Sequence, residues 1–376
     1  MKRVYLDHNA TAPLRPEARQ AMLAAMDLIG NPSSVHAEGR AAKGLVEQAR
    51  QQVAGLVGCA PGEVIFTSGA TEAAALAIPD GATVSSAGIE HDAVLSWVQK
   101  EGVDLSQLLD VDGNGVLTGQ ANGQSFEDGI WDDVVALQAA NSETGVLQDT
   151  LKHAQALWAL KRSVLILVDA VQALGKTDFS FARSGADFVM VSAHKLGGPK
   201  GVGALIVKHG IDVKPRIPGG GQEMGRRSGT ENIIGIAGFG AAAAAAAHDV
   251  ASGRWEEIKE LRKILENTLA ASAKTTIFVG KDADRLPNTS CFATPGWKGE
   301  SQVIQMDLAG FAISAGSACS SGKVRASKVL QAMGYDDEIA SSAIRVSLGL
   351  ETTAEDVQRF AETWLAKEQK FRARMA

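Results

Sequence analysis

The chain has 376 residues, 45% of them apolar and 21% charged. That is the balance of a folded globular protein, and it excludes a largely disordered or collagen-like chain. The 37 basic and 43 acidic side chains leave a formal charge of -6, and no basic block offers an electrostatic footprint, which argues against nucleic acid as a partner.

At about 150 residues per domain, the length predicts two domains or one with an added lobe. In chain order, Val4, Tyr5 and Leu6 are the only apolar residues before Asp7, too few for the core of a signal peptide. Cys59, Cys291 and Cys319 are odd in number and far apart, without the C-x-x-C spacing of a zinc or redox site. We therefore expect no metal site and a reducing, cytoplasmic compartment.

An apolar stretch at 63–67 fits a strand. It runs into the small-residue turn Ser68-Gly69-Ala70-Thr71 and an alanine-rich helix over 72–78. Such a turn sets unpaired backbone N–H groups and a hydroxyl at a helix start, where a phosphate is favoured, although a plain N-cap has the same pattern. Further strands are predicted at 134–139, 164–168 and 188–191, with a helix over 150–161 between the first two. This alternation predicts an α/β fold with a mainly parallel sheet. Strand 164–168 runs into Asp169, with Gln172 three residues on, and strand 188–191 into Ser192-Ala193-His194-Lys195. Two strand ends thus offer an acid and an amine to one crevice, at the edge where open sheets bind ligands.

A lysine beside a desolvated pocket, with a carboxylate on the neighbouring strand, is what pyridoxal phosphate requires. The amine forms the covalent link, and the acid keeps the pyridine nitrogen protonated. Thr71, Ser192 and His194 are candidates for its phosphate, and His91 for an aromatic plate against the ring. Taken singly, Asp169 reads sooner as a helix cap and Lys195 as a solvated charge; together with the phosphate turn they point to the cofactor.

Further along, the glycine-rich segment 219–232 lacks P-loop spacing but carries Arg226, Arg227 and Thr230, and reads as an anion nest or a flexible loop. The apolar run 233–247 is shorter than the roughly 18 to 20 residues that cross a bilayer, so it predicts a buried helix and no membrane partner. A second lobe follows, with an amphipathic helix over 255–269, turn-rich segments at 287–289 and 294–299, and a last helix over 354–370. Within it, Arg345 alternates with Ile344 and Val346 as on a strand, placed to clamp a carboxylate or to form a structural ion pair. Cys319 sits in a run of small residues near Lys323 and Arg325, a setting that lowers a thiol pKa and suits a nucleophile; Cys59 and Cys291 read as inert.

Most of the chain resembles the pyridoxal-phosphate-dependent cysteine desulfurases of the NifS/IscS type. The resemblance runs through Tyr5-Leu6-Asp7-His8-Asn9-Ala10-Thr11, Asn31-Pro32-Ser33-Ser34 with His36, Phe66-Thr67-Ser68-Gly69-Ala70-Thr71-Glu72 and Glu90-His91. It continues through Val168-Asp169-Ala170-Val171-Gln172, Ser192-Ala193-His194-Lys195, Arg227-Ser228-Gly229-Thr230-Glu231-Asn232 and Ser317-Ala318-Cys319-Ser320-Ser321. It implies an aminotransferase-like α/β fold: a large cofactor domain, 14–248, with a mainly parallel sheet flanked by helices, and a smaller α+β domain formed by 1–13 and 249–376. It also implies a homodimer.

Carried over residue by residue, Lys195 is the Schiff-base lysine, Asp169 the partner of the pyridine nitrogen, Gln172 that of the ring hydroxyl oxygen and His91 the stacking, catalytic ring. Ala70, Thr71, Ser192 and His194 hold the phosphate, joined by Thr230 of a second subunit. Ser142 faces the cofactor where the family motif has asparagine, with Asn141 as a weak substitute, and Met224 stands in place of an arginine. Arg345 takes the substrate carboxylate and Cys319 accepts the sulfur. The implied reaction converts L-cysteine to L-alanine and leaves a persulfide on Cys319, for an acceptor protein or iron–sulfur scaffold. Competing readings are a selenocysteine lyase, another class V enzyme, or a non-catalytic scaffold that keeps the fold.

Overall fold

The computed structural model describes residues 3–98, 109–121, 123–125, 133–161, 163–316 and 326–375. Its centre is a six-stranded sheet in the order Val64–Thr67, Gly203–Val207, Phe188–Ser192, Leu165–Asp169, Val134–Gln138, Val84–Ser86. The last four strands pair in parallel, whereas Gly203–Val207 runs antiparallel to both of its neighbours. Five of the six strands, Val64–Thr67, Val84–Ser86, Val134–Gln138, Phe188–Ser192 and Gly203–Val207, are buried at every position. Helices cover both faces, so these strands show as unbroken apolar runs and not as alternation.

On one face, the Ile233–Ala251 helix packs on Pro16–Met26 and Ala37–Val57. Asn232 caps it by accepting from the Gly235 N–H. Its small residues permit a close approach: a Cβ at Gly240 would lie 2.6 Å from the Ala49 Cα. On the other face, Ala73, Ala74 and Leu76 of the Ala70–Ala77 helix share a core with Ile65, Leu167 and Leu205.

A second sheet, entirely antiparallel, has the order Ile277–Phe278, Thr289–Ala293, Ala343–Ser347, Ser314–Ala315. Phe292, Phe360 and Trp364 fill its core, with Trp364 set edge-on to Phe292. The N-terminal strand Val4–Tyr5 pairs with Phe311–Ala312, and Asp7 bridges to Ser347, so the first residues of the chain join the C-terminal third. Residue 248, where the sequence reading divides the chain, falls in the last turn of the Ile233–Ala251 helix.

The turn expected at 287–289 is found at 287–288, buried and not at the surface. Asn288 and Thr289 are fully buried, and Thr289 opens a strand. Both side chains are polar but satisfied: Asn288 donates to the Leu348 carbonyl, and Thr289 donates to Asn288 Oδ1. Such pairing removes the penalty that would otherwise drive polar residues to a surface turn.

Candidate active site

Parallel register brings the carboxyl ends of the central strands level, with Gln138 opposite Asp169 and Asp169 opposite Met190. A cavity of about 580 Å³ opens there, lined by Ala70, Thr71, His91, Ser142, Asp169, Gln172, Ser192, His194 and Lys195. These residues, scattered over 126 positions of sequence, are thereby brought into one site. Lys195 lies in the short turn that ends strand Phe188–Ser192, and its Nζ donates to the carbonyls of Asn9 (2.7 Å) and Ala10 (3.0 Å).

Burial pushes the Asp169 carboxyl above its ordinary range, against the Val171 N–H it accepts at 2.9 Å and the nearby His91 and Lys195. A cation set against it, such as a protonated ring nitrogen, favours its ionised form. Glu90, also buried, is raised well above its ordinary range by burial and by Asp169. His91 Nδ1 accepts the Ala93 N–H at 3.0 Å, which places the proton of a neutral ring on Nε2. His194 is lowered to about 4 by burial and by Lys195 and Lys200, and its Nδ1 lies 3.2 Å from the Thr11 hydroxyl.

The turn before the Ala70–Ala77 helix is pinned on three sides. Thr67 Oγ1 donates to the Gly69 carbonyl, the Ser68 N–H donates to Glu72, and Arg227 pairs with the same Glu72 at 2.8 Å. The orphan N–H groups of the first helical turn are left at the cavity wall, where Ala70, Thr71 and Ser192 converge.

A second cavity of about 370 Å³ shares His91 and Ser142 with the first and adds Arg345, Glu143, Gly316 and Ala326. Arg345 forms the structural ion pair its pattern allowed. It sits on strand Ala343–Ser347, paired with Asp7 at 2.7 Å and donating to the Ser142 carbonyl. Its Nε is buried with no partner among the described residues.

Three sequence expectations lie elsewhere. Asn141 does not face the cofactor cavity: its amide donates to the Ile89 carbonyl and Gln138, and its oxygen accepts the N–H groups of Glu143 and Thr144. With both ends of the amide engaged, it shapes the loop that carries Ser142. Thr230 is exposed and absent from this chain's cavity. Cys319 lies outside the described residues; Gly316 and Ala326, the described positions on either side, both border the second cavity.

The glycine-rich segment is tied to the body of the chain by two of its side chains. Glu223 is buried in a bidentate pair with Arg50 and accepts the Phe66 N–H, while Arg226 donates to the Gly62 carbonyl. Cys59 is pushed up to about 12 by burial, and burial also raises Cys291, so both are protonated thiols. Sequence reasoning missed Asn9 and Lys176. Asn9 stood within a quoted motif with no role, and Lys176 follows Gln172 by four residues, the spacing at which two side chains meet on one turn of helix.

Residues 4–360 match the family described as Aminotransferase class-V, and the fold and site are those of a pyridoxal-phosphate-dependent enzyme of that class. The chain is 40% identical to a curated cysteine desulfurase of Cereibacter sphaeroides, over 96% of this chain and 95% of that one. An X-ray structure of a NifS-like protein from Rickettsia africae superposes with a TM-score of 0.86 and 31% identity, covering 97% of this chain and 99% of that one. A structure of SspA in complex with cysteine gives a TM-score of 0.75 at 26% identity, covering 93% and 100%. The chain belongs to the cysteine desulfurase family of class V aminotransferases.

The site fits the family's cofactor. A buried acid with raised proton affinity, a lysine on the adjacent strand end and a pinned N–H turn line one cavity. Its volume lies within the roughly 300 to 1,000 Å³ usual for cofactor sites.

Proposed function

We propose that this cysteine desulfurase takes L-cysteine in the cavity shared by His91, Ser142 and Arg345 and transfers its sulfur to Cys319. The observation that carries this reading is the pair of adjoining cavities. One joins Lys195, Asp169 and the N–H turn; the other joins a buried arginine to Gly316 and Ala326, which flank the Cys319 segment. Relatives named cysteine desulfurase, and SspA in complex with cysteine, support the same substrate.

When bound, pyridoxal phosphate supplies an electron sink for bonds at the substrate Cα and Cβ. Lys195 would hold the cofactor and, as a free amine, would be the base placed to move the Cα proton. Asp169 holds the proton of the ring nitrogen, and Gln172 donates to the ring oxygen. His91 stacks on the ring, with Nε2–H as its donor. Ala70, Thr71, Ser192 and His194 hold the phosphate, joined by Thr230 of a second copy. The Ser142 hydroxyl reaches less far than an amide would and shares the cofactor wall with its neighbours. Arg345 receives the substrate carboxylate in a two-bond clamp, exchanging its pairing with Asp7.

In the net reaction, the substrate C–S bond breaks, an S–S bond forms on Cys319, and the carbon gains a proton. L-alanine and a protein persulfide result, and an acceptor or iron–sulfur scaffold protein collects the sulfur. A homodimer is supported by the exposed Thr230 and by the exposed apolar side chains Leu23, Met26, Ile29 and Val35. The free thiols Cys59 and Cys291 support a cytoplasmic setting. The division into a cofactor domain, 14–248, and a smaller one, 1–13 with 249–376, belongs to the same proposal.

Purified protein with pyridoxal phosphate and L-cysteine is expected to release alanine, and to release sulfide when a reductant is added. Cys319→Ala is expected to abolish sulfide release while keeping the cofactor's visible band. Full sulfide release by that variant would overturn the proposal.

A further inference from the structure

Lys176 is a buried lysine, 4% exposed, that does not line the cofactor cavity and has no carboxylate partner among the described residues. Its Nζ donates to Gln172 Oε1 at 2.8 Å and to Asn9 Oδ1 at 3.1 Å. Gln172, four residues earlier, turns its Nε2 to the Asn9 carbonyl at 2.9 Å, the oxygen that also receives Lys195. Burying an amine among neutral oxygens is costly, and such a group persists where it fixes something nearby.

What it fixes is the sense of an amide. A lysine uses N–H bonds in either protonation state and, as an ammonium, has no acceptor at all. Reversing Gln172 would set an NH₂ against Lys176 and an oxygen against the Asn9 carbonyl; the second contact is lost in either protonation state of Lys176, and the first whenever it is an ammonium. The same lysine, with the Asn288 donor, fixes Asn9 so that its Nδ2 faces the Ser142 carbonyl and Thr289.

The geometry points to Lys176 as a positioning residue that locks the Gln172 amide with its NH₂ toward the cavity, so that a ring oxygen bound there meets a donor and not a carbonyl. This rests on Gln172 as the ring-oxygen partner. Titratable and charged groups around the cluster are Lys195, Asp169 and His91 in the cavity, Arg345 with Asp7, and His8 on the N-terminal segment. Burial, with Lys195 and Arg345, holds Lys176 well below its ordinary range.

The test is a double-mutant cycle on the cofactor-loaded protein, reading the pH midpoint of the visible band and the cofactor dissociation constant. An N–H donated to the ring oxygen favours the form that has lost its proton, so Gln172→Met is expected to raise the midpoint by about one unit. Lys176→Met is expected to raise it in the same direction and to weaken cofactor binding by roughly tenfold. The double variant is expected to match Gln172→Met alone, because a residue acting only through Gln172 has nothing left to act on.

A Lys176→Met midpoint equal to wild type, or effects that simply add, would overturn the inference while leaving Gln172 in its role. An unmoved midpoint in Gln172→Met would overturn that role and the inference with it. The melting temperature of each cofactor-free variant reports on folding. Should Lys176→Met not fold, Lys176→Arg keeps a side chain that only donates and is expected to hold the wild-type midpoint; a raised midpoint there also overturns the inference.

Discussion

At the scale of single residues, the site is a set of titrating groups displaced by burial. His8 and His194 are each lowered from 6.5 to about 4, chiefly by burial. A base whose folded pKa lies below its unfolded value contributes its full share of stability above the unfolded value and loses it as pH falls toward the folded one. The window for both is therefore about pH 6.5 down to about 4. Asp169 and Glu90, raised by burial, act in the opposite sense, so the prediction is a difference. In cofactor-free protein, His194→Asn is expected to lose less melting temperature than wild type across that window, as thermal scans at several pH values would show. Parallel curves would mean that His194 takes up its proton as readily in the fold as in the unfolded chain.

Legibility at this scale depended on whether a residue's role was local. Asp169 and Lys195 stood at the ends of apolar runs, and the chain order of the strands was enough to bring them together. Asn141 looked like a cofactor ligand because it adjoins Ser142, but its amide is consumed by the backbone of its own loop. Lys176 was missed because its partner besides Gln172, Asn9, lies 167 positions away and no pattern along the sequence joins them.

Among elements, strand Gly203–Val207 shows how backbone contact builds the phosphate turn. A Cβ on Gly203 would lie 2.5 Å from the Val191 carbonyl oxygen and 2.7 Å from the Gly69 Cα, both backbone atoms that cannot swing aside. Gly203→Ala is expected to destabilise the fold by about 1 to 3 kcal/mol, the usual cost of overpacking, and to weaken cofactor binding by displacing the turn at Gly69. Urea unfolding and a cofactor titration check the two effects; wild-type values in both would show that the strand and turn can separate at no cost. The strands read at 63–67, 134–139, 164–168 and 188–191 lie within a residue or so of their observed bounds, because full burial writes itself as unbroken apolar sequence. The turn read at 287–289 is present at 287–288, but the strand Thr289–Ala293 that follows it opens with buried polar residues and went unread. The helices Pro16–Met26 and Ala37–Val57 went unread: their faces are mixed and become meaningful only against the Ile233–Ala251 helix.

For the whole molecule, Asn9 ties the pieces together. Its side chain reaches Lys176, Ser142, Thr289 and Asn288, its carbonyl receives Lys195 and Gln172, and its N–H donates to Ser347 Oγ. It is 1% exposed and touches both sheets' connections. Asn9→Ala strands several buried donors and is expected to cost about 2 to 4 kcal/mol, measurable by urea unfolding of cofactor-free protein. A loss below about 0.5 kcal/mol, the range of a neutral surface change, would show that these contacts are made as well by water.

The central claim is that sulfur leaves cysteine and lands on Cys319. Mass spectrometry of the loaded protein after brief exposure to L-cysteine tests it most directly. The account predicts one added sulfur, about 32 Da, on the peptide bearing Cys319 and removable by thiol reductant. The same increment on Cys59 or Cys291, or none while alanine accumulates, would contradict it.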